Sequence, residues 1–205
     1  MVDFQWQLKP AEDELRLAFA ALGFGGDKFT KCNYAGMWNA AADLLAQQGR
    51  MAELRQALCP IYDRWDFDAL TRWTPRPGAA ELLCRLAAGG TRVGMVSNVG
   101  RNALTKALNR FDFARCLSPV VTRDEVTYMK PNAEGIMRVL SDWRIKAGDA
   151  LFVGDSRADV LGARAAGMQV AIIRGGECDE TAFADIPPSY VISQLDELVA
   201  LIDGS

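Results

Sequence analysis

Residues 151 to 168 read LFVGDSRADVLGARAAGM. Ala150 to Val153 are apolar or small and predict a buried strand. Gly154, Asp155 and Ser156 make a turn, and the alanine-rich run after them predicts a helix closed by Gly167. Asp155 therefore falls where a parallel strand ends, the edge at which open α/β sheets place their ligands. Asp159 follows one helical turn later on the same side, so two carboxylates face one crevice. A helix N-cap at Asp155 or Ser156, with Asp159 as a first-turn acid, accounts for the same residues equally well.

Working outward, residues beyond 78 alternate between helix and strand patterns. Helices are expected over 79–88, 101–110, 132–143, 157–166 and 195–202, and strands over 92–96, 119–122, 150–153, 169–173 and 190–192. Helices of this length between apolar strands imply right-handed βαβ crossovers and a three-layer, Rossmann-like parallel sheet. TPRPG at 74–78, with two prolines and a glycine, is a domain boundary. No strand pattern precedes residue 90. Residues 10–72 instead predict a small α-helical module: one helix from Pro10 behind Glu12, Asp13 and Glu14, stopped at Gly23; two more over 34–48 and 50–58; and a third run carrying Tyr62, Trp65 and Phe67 towards Trp73, set off by Pro60. Its aromatic residues are expected to pack within the bundle. Residues 1–9 form no recognisable element, and the glycines at 23–27 lack the spacing of a nucleotide-binding loop.

Composition narrows the chemistry. With 23 basic and 26 acidic residues the chain lacks the positive footprint of a nucleic-acid binder. No apolar run approaches the ~18 residues that cross a bilayer, and the first ten residues resemble no signal peptide, so a cytoplasmic protein without a membrane or nucleic-acid partner is expected. The five cysteines are odd in number and never paired as CxxC, which predicts reduced thiols and neither a zinc site nor a disulfide framework. Histidine is absent, which removes Ser-His and Cys-His nucleophile activation. Catalysis must rest on carboxylates, lysine, hydroxyls, backbone amides and a hard metal ion.

Two more strand ends supply such groups. Ser97 and Asn98 in GMVSNVG sit where a strand gives way to a helix, a place suited to a phosphate-sized anion, although a Ser or Asn cap explains them too. Pro131 holds Lys130 extended before the next helix, from where its ammonium can reach back over the strand ends.

Ser97, Lys130-Pro131 and the GDSRAD turn, in that order on an α/β pattern, resemble the second to fourth motifs of the haloacid dehalogenase-like hydrolase superfamily, most closely its phosphoglycolate-phosphatase-like branch. The resemblance implies a helical cap domain over 10–72 and an α/β core over 73–205 with 1–9. It implies Asp155 as a Mg²⁺ ligand, Ser97 and the Asn98 amide as holders of phosphoryl oxygens, Lys130 as the neutraliser of phosphate charge, and Asp159 as a supporting acid. A small phosphorylated metabolite is the implied substrate, and oxygen ligands with a lysine suit phosphoryl transfer. The family's first motif, an apolar strand ending in DxDGT that carries the nucleophile, is missing from these 205 residues. Val2 and Asp3 resemble the continuation of that motif, so the first residue is expected to lie inside a longer reading frame. A pseudoenzyme that binds phosphate or a protein partner is the rival reading.

Overall fold

The computed structural model describes residues 1–2, 6–26, 29 and 31–203. Asp3, read above with Val2 as the continuation of the missing motif, lies outside the described residues.

Among the described residues the chain opens with the long helices α1 (Leu8–Ala21), α2 (Tyr34–Leu45) and α3 (Met51–Leu70). Asn33 caps α2 by accepting the Gly36 N–H at 2.9 Å. The expected break at Pro60 does not occur, and α3 runs straight through it. Proline removes one helical hydrogen bond, but Leu58 and Tyr62 on either side are fully buried on one face and hold both halves in line. The helices close around Leu15, Phe19, Trp38, Leu54 and Tyr62. Tyr34 and Trp38 meet the Tyr62 ring edge-on, with centroids at 4.5 and 5.5 Å.

The rest alternates: α4 (Ala79–Ala88), β1 (Met95–Val96), α5 (Arg101–Arg110), β2 (Val120–Val121), α6 (Glu134–Trp143), β3 (Leu151–Gly154), α7 (Arg157–Ala165), β4 (Gln169–Ile173), β5 (Tyr190–Ile192) and α8 (Glu197–Asp203). Every strand pair is parallel, as right-handed crossovers through helices require. Apolar clusters lie on both sides of the sheet, one built on α4, α5 and α8, the other on α6 and α7.

The sheet is not continuous. Among the described residues β1 pairs with β2, and β3, β4 and β5 pair in that order, with no ladder between β1 and β3. The N–H groups of Met95 and Ser97 donate to Pro119 and Val121 at 2.9 Å each. Successive residues of a strand alternate sides, so those of Gly94 and Val96 face away from β2. There a slot of about 1040 Å³ runs between the two half-sheets, walled by Leu82, Leu104, Val96, Phe152 and Leu198, among others. This explains why β1 is shorter than the expected 92–96: regular pairing reaches it from one side only.

Candidate active site

The C-terminal end of β3 turns sharply at Gly154. A β-carbon on Gly154 would overlap the Asp159 carboxyl, so only glycine permits this approach. Ser156 is the N-cap of α7 and accepts the Asp159 N–H at 3.2 Å. Asp159 answers with one oxygen, Oδ2, which accepts the main-chain N–H groups of Asp155 and Ser156 at 3.1 Å and the Ser156 hydroxyl at 2.8 Å. This is a capping box. Its second oxygen, Oδ1, accepts the Lys130 ammonium at 2.7 Å. Asp159 is thus both a helix-capping acid and the counter-ion of Lys130. Burial raises its carboxyl, but Lys130 together with the hydrogen bonds from Ser156 and Asp155 outweighs that, and the net shift is downward.

Lys130 is held at its backbone as firmly as at its ammonium. The Asn98 side chain accepts the Lys130 N–H at 2.9 Å and donates to the Lys130 carbonyl at 3.0 Å. One residue earlier, Asn39 of α2 grips Met129 the same way, accepting its N–H at 2.8 Å and donating to its carbonyl at 2.9 Å. The pair Met129-Lys130, in a turn closed by the Asn132 N–H on the Met129 carbonyl at 3.0 Å, is therefore clamped between an asparagine of the helical layer and one at the end of β1. Its Nζ also donates to the Val96 carbonyl at 2.9 Å, at the mouth of the slot, and its side chain is 13% exposed.

Asp155 projects from the turn beside these groups. Its Oδ2 accepts the Glu177 N–H at 3.2 Å, and a β-carbon on Gly176 would overlap the Asp155 side chain. Burial, then the neighbouring Asp159, push the Asp155 carboxyl up. Glu177 is exposed as a residue, yet loss of water around its carboxyl and the charges of Asp155 and Asp159 raise it to about 7. Negative charge gathers here faster than Lys130 can offset it. Among the described residues no group of three or more His, Cys, Asp or Glu is arranged to enclose a metal.

Ser97 ends β1, and its Oγ accepts the Val99 N–H at 3.2 Å, which leaves its own proton to donate. The helix that follows differs from the expectation. Its N-cap is Gly100, and its first amides are already taken: Gly100 N–H donates to Asp66 at 2.8 Å and Arg101 N–H to Asp124 at 2.7 Å. The first two amides at the start of α5 are therefore occupied from within the chain, and neither Ser97 nor Asn98 caps the helix.

Sequence reading missed a second buried group. Arg123, fully buried, donates to the fully buried Asp66 at 2.8 Å, to Tyr34 at 3.3 Å and to Asp63. These partners come from α2 and α3, so the guanidinium ties the helical layer to the turn after β2. The capping box between Thr122 and Glu125 was readable from TRDE. The fate of the arginine inside it was not, because its partners lie some sixty residues upstream. The helical layer also reaches the slot: Trp6, Glu12, Asn33 and Tyr34 line the same cavity as Ser97, Lys130 and Asp155.

Residues 27–173 match the family model of haloacid dehalogenase-like hydrolases. Phosphoglycolate phosphatase 1 of Pseudomonas aeruginosa is 30% identical over 127 residues, which is 62% of this chain and 47% of that protein. The phosphoglycolate phosphatase of Rhodospirillum rubrum is 33% identical over 135 residues, 66% of this chain and 53% of that one. The chain thus spans about half the length of the curated relatives it matches. A crystal structure of a HAD-superfamily hydrolase of Geobacter sulfurreducens superposes with a TM-score of 0.57 at 22% identity, covering 93% of this chain and 90% of that one, which speaks for the fold.

Proposed function

The chain belongs to the haloacid dehalogenase-like hydrolase family, and from that premise we propose that it carries the phosphate- and metal-binding half of a Mg²⁺-dependent phosphatase acting on a small phosphorylated metabolite such as phosphoglycolate. The observation that carries this reading is that Ser97 at the end of β1, Asp155 at the end of β3 and Lys130, whose ammonium joins Val96 to Asp159, line one cavity. Phosphoryl transfer asks a protein for positioning and charge neutralisation more than for covalent chemistry of its own.

In this reading the Lys130 ammonium, two of whose three N–H bonds go to Val96 and Asp159, turns its third towards a phosphoryl oxygen. The Ser97 hydroxyl donates to a second. The Asn98 side chain is spent on the Lys130 backbone, so the group it offers an anion is its main-chain N–H. Trp6, Glu12, Asn33 and Tyr34 on the helical layer select the rest of the substrate, which is the role of a cap for residues 10–72.

The residues fit a magnesium ion. Mg²⁺ is commonly held by one or two carboxylates with waters and substrate phosphate, without a dedicated protein cage. Asp155 supplies such an oxygen, and the upward shifts at Asp155 and Glu177 mark negative charge that a cation would relieve. When bound, the ion supplies charge stabilisation at the phosphoryl oxygens.

The DxDGT motif that would carry the attacking aspartate does not occur in these 205 residues. The proposal places that nucleophile on a further parallel strand seated in the slot between β1 and β3, whose C-terminal end would emerge beside Lys130, Ser97 and Asp155. Two unpaired strand edges and an apolar slot are costly in a folded domain, and one strand of about five or six residues, the common length, satisfies both.

The test is protein expressed from the gene with its upstream DNA retained, assayed for intact mass and for Mg²⁺-dependent phosphate release from phosphoglycolate and an aryl phosphate. A mass above 22.4 kDa with turnover abolished by Asp155→Ala supports the reading. A mass matching these 205 residues with no turnover overturns it and favours a phosphate-binding module.

A further inference from the structure

Away from the site, Cys84 on α4 and Cys116, in the single 3₁₀ turn Ala114–Cys116, bring their sulfurs to 3.1 Å. That is about 1 Å beyond a disulfide bond length. Both are free thiols of intermediate exposure, so a small oxidant can reach them. Their approach is fixed by packing: Leu82 and Leu83 of α4 share an apolar cluster with Phe113 and Leu117, which flank the Cys116 turn. The Arg115 guanidinium, paired to Asp112 at 2.8 Å, also lies beside the Cys84 thiol. The contact with Cys84, then burial, push the Cys116 thiol up, and Arg115 partly offsets them.

We propose that Cys84 and Cys116 are a redox-sensitive pair that closes to a disulfide and staples α4 to the turn before β2. In the reaction two S–H bonds break and one S–S bond forms. The two electrons and two protons pass to the oxidant: a hydroperoxide yields water and an alcohol, and diamide yields its hydrazine. The stapled elements carry Leu82, Leu83, Leu86, Phe113 and Leu117, all on the wall of the slot, so oxidation fixes that wall. A reduced compartment keeps the pair open, consistent with cysteines that form no structural framework.

The experiment treats the reduced protein with stoichiometric diamide and reads intact mass, thiol count and thermal midpoint. The expected result is a loss of about 2 Da, two of the five thiols closed to alkylation, a linked peptide containing Cys84 and Cys116, and a higher thermal midpoint, all reversed by dithiothreitol. Cys84→Ser and Cys116→Ser, conservative changes at partly exposed positions, must each abolish the mass loss. Full alkylation of all five thiols after diamide, or a mass loss that persists in Cys84→Ser, overturns the proposal.

Discussion

The side chain of Asn98 bonds the main chain of Lys130 in both directions, accepting its N–H at 2.9 Å and donating to its carbonyl at 3.0 Å. A planar amide making both contacts fixes the backbone direction at Lys130, and with it the line along which the side chain reaches Val96 and Asp159. Asn98→Ala removes both bonds and leaves two partly buried peptide groups without partners. We expect it to destabilise the fold by about 1–3 kcal/mol. Ser97→Ala, which loses only the contact to the Val99 N–H, should cost less than about 1 kcal/mol. Urea midpoints of the two variants decide; equal losses would mean that the clamp contributes nothing special. In the active protein Asn98→Ala should also lower kcat, since a displaced ammonium stabilises less transition-state charge.

Lys130 and Asp159 form a nearly buried pair, with side chains 13% and 5% exposed. Removing the cation leaves Asp159 charged without compensation, a loss of about 3–5 kcal/mol for such pairs. The effect depends on pH in a direction fixed by linkage. In the native protein the Asp159 carboxyl is held below its ordinary range, so the pair stabilises above that range and its contribution fades as pH falls through the lowered folded pKa. In Lys130→Met burial dominates, the carboxyl titrates higher when folded, and stability falls as pH rises. The gap between wild type and Lys130→Met should therefore be larger at pH 7 than at pH 3, as measured by denaturant titration at both.

Asp155 and Glu177 shift the opposite way, and so does their linkage. Both bind protons more tightly folded than unfolded. Their contribution to stability is present at acid pH and is lost as pH rises from the usual carboxylate range to about 7, the Glu177 value. A divalent cation at Asp155 removes that loss. Millimolar Mg²⁺ should raise the thermal midpoint clearly at pH 8 and hardly at pH 5, and excess EDTA should reverse it. Asp155→Asn should abolish the response. A shift that survives Asp155→Asn would place the ion elsewhere.

How far these groups were legible from sequence depended on sequence distance. The turn from Gly154 to Asp159 was readable because strand, glycine, cap and capping acid occur within six residues; the structure shows Asp159 capping α7 and paired to Lys130. The alternation after residue 78 gave the right elements to within a few residues, for each strand and helix carries its own periodicity. Pro60 misled because local propensity yielded to Leu58 and Tyr62, whose burial is tertiary. The amides of α5 misled for the same reason: Asp66 and Asp124, which occupy them, come from elsewhere in the chain. Glu177 and Arg123 had no local signal, since one acts through a loop folded back on Asp155 and the other through partners on α2 and α3.

Arg123 and Asp66 offer a direct test of how the helical layer is attached. Arg123→Met leaves two carboxylates, Asp66 fully buried and Asp63 partly so, without their cation, and should cost about 3–5 kcal/mol. Adding Asp66→Asn removes the stranded charge while keeping an oxygen for the Gly100 N–H. The double variant should be more stable than Arg123→Met alone, with a coupling of about 1–3 kcal/mol in a double-mutant cycle. Additive losses would show that the arginine acts through packing on the Tyr62 ring, 5.0 Å away, and not through charge.

The slot makes the sharpest demand. With β1 paired only to β2 among the described residues, the Val96 and Gly94 N–H groups point into it, and the Val96 carbonyl there is taken by Lys130. A parallel strand entering the slot must therefore pair with Gly94 and Val96 and end where the lysine begins, which sets its register against β1 to within a residue. A synthetic peptide of about six apolar residues followed by Asp-x-Asp-Gly-Thr, added to the 205-residue chain, should protect the Val96 and Gly94 amides from hydrogen exchange by roughly 100-fold or more and leave those of Met95 and Ser97, already bonded to β2, much less changed. With Mg²⁺ present the mixture should release phosphate, and replacing the first Asp of the peptide with Asn should stop release while keeping the protection. Protection without any release would make the slot a structural seat alone. No protection at all would mean that β1 and β3 meet their partner from elsewhere and that the register argued from Lys130 is wrong.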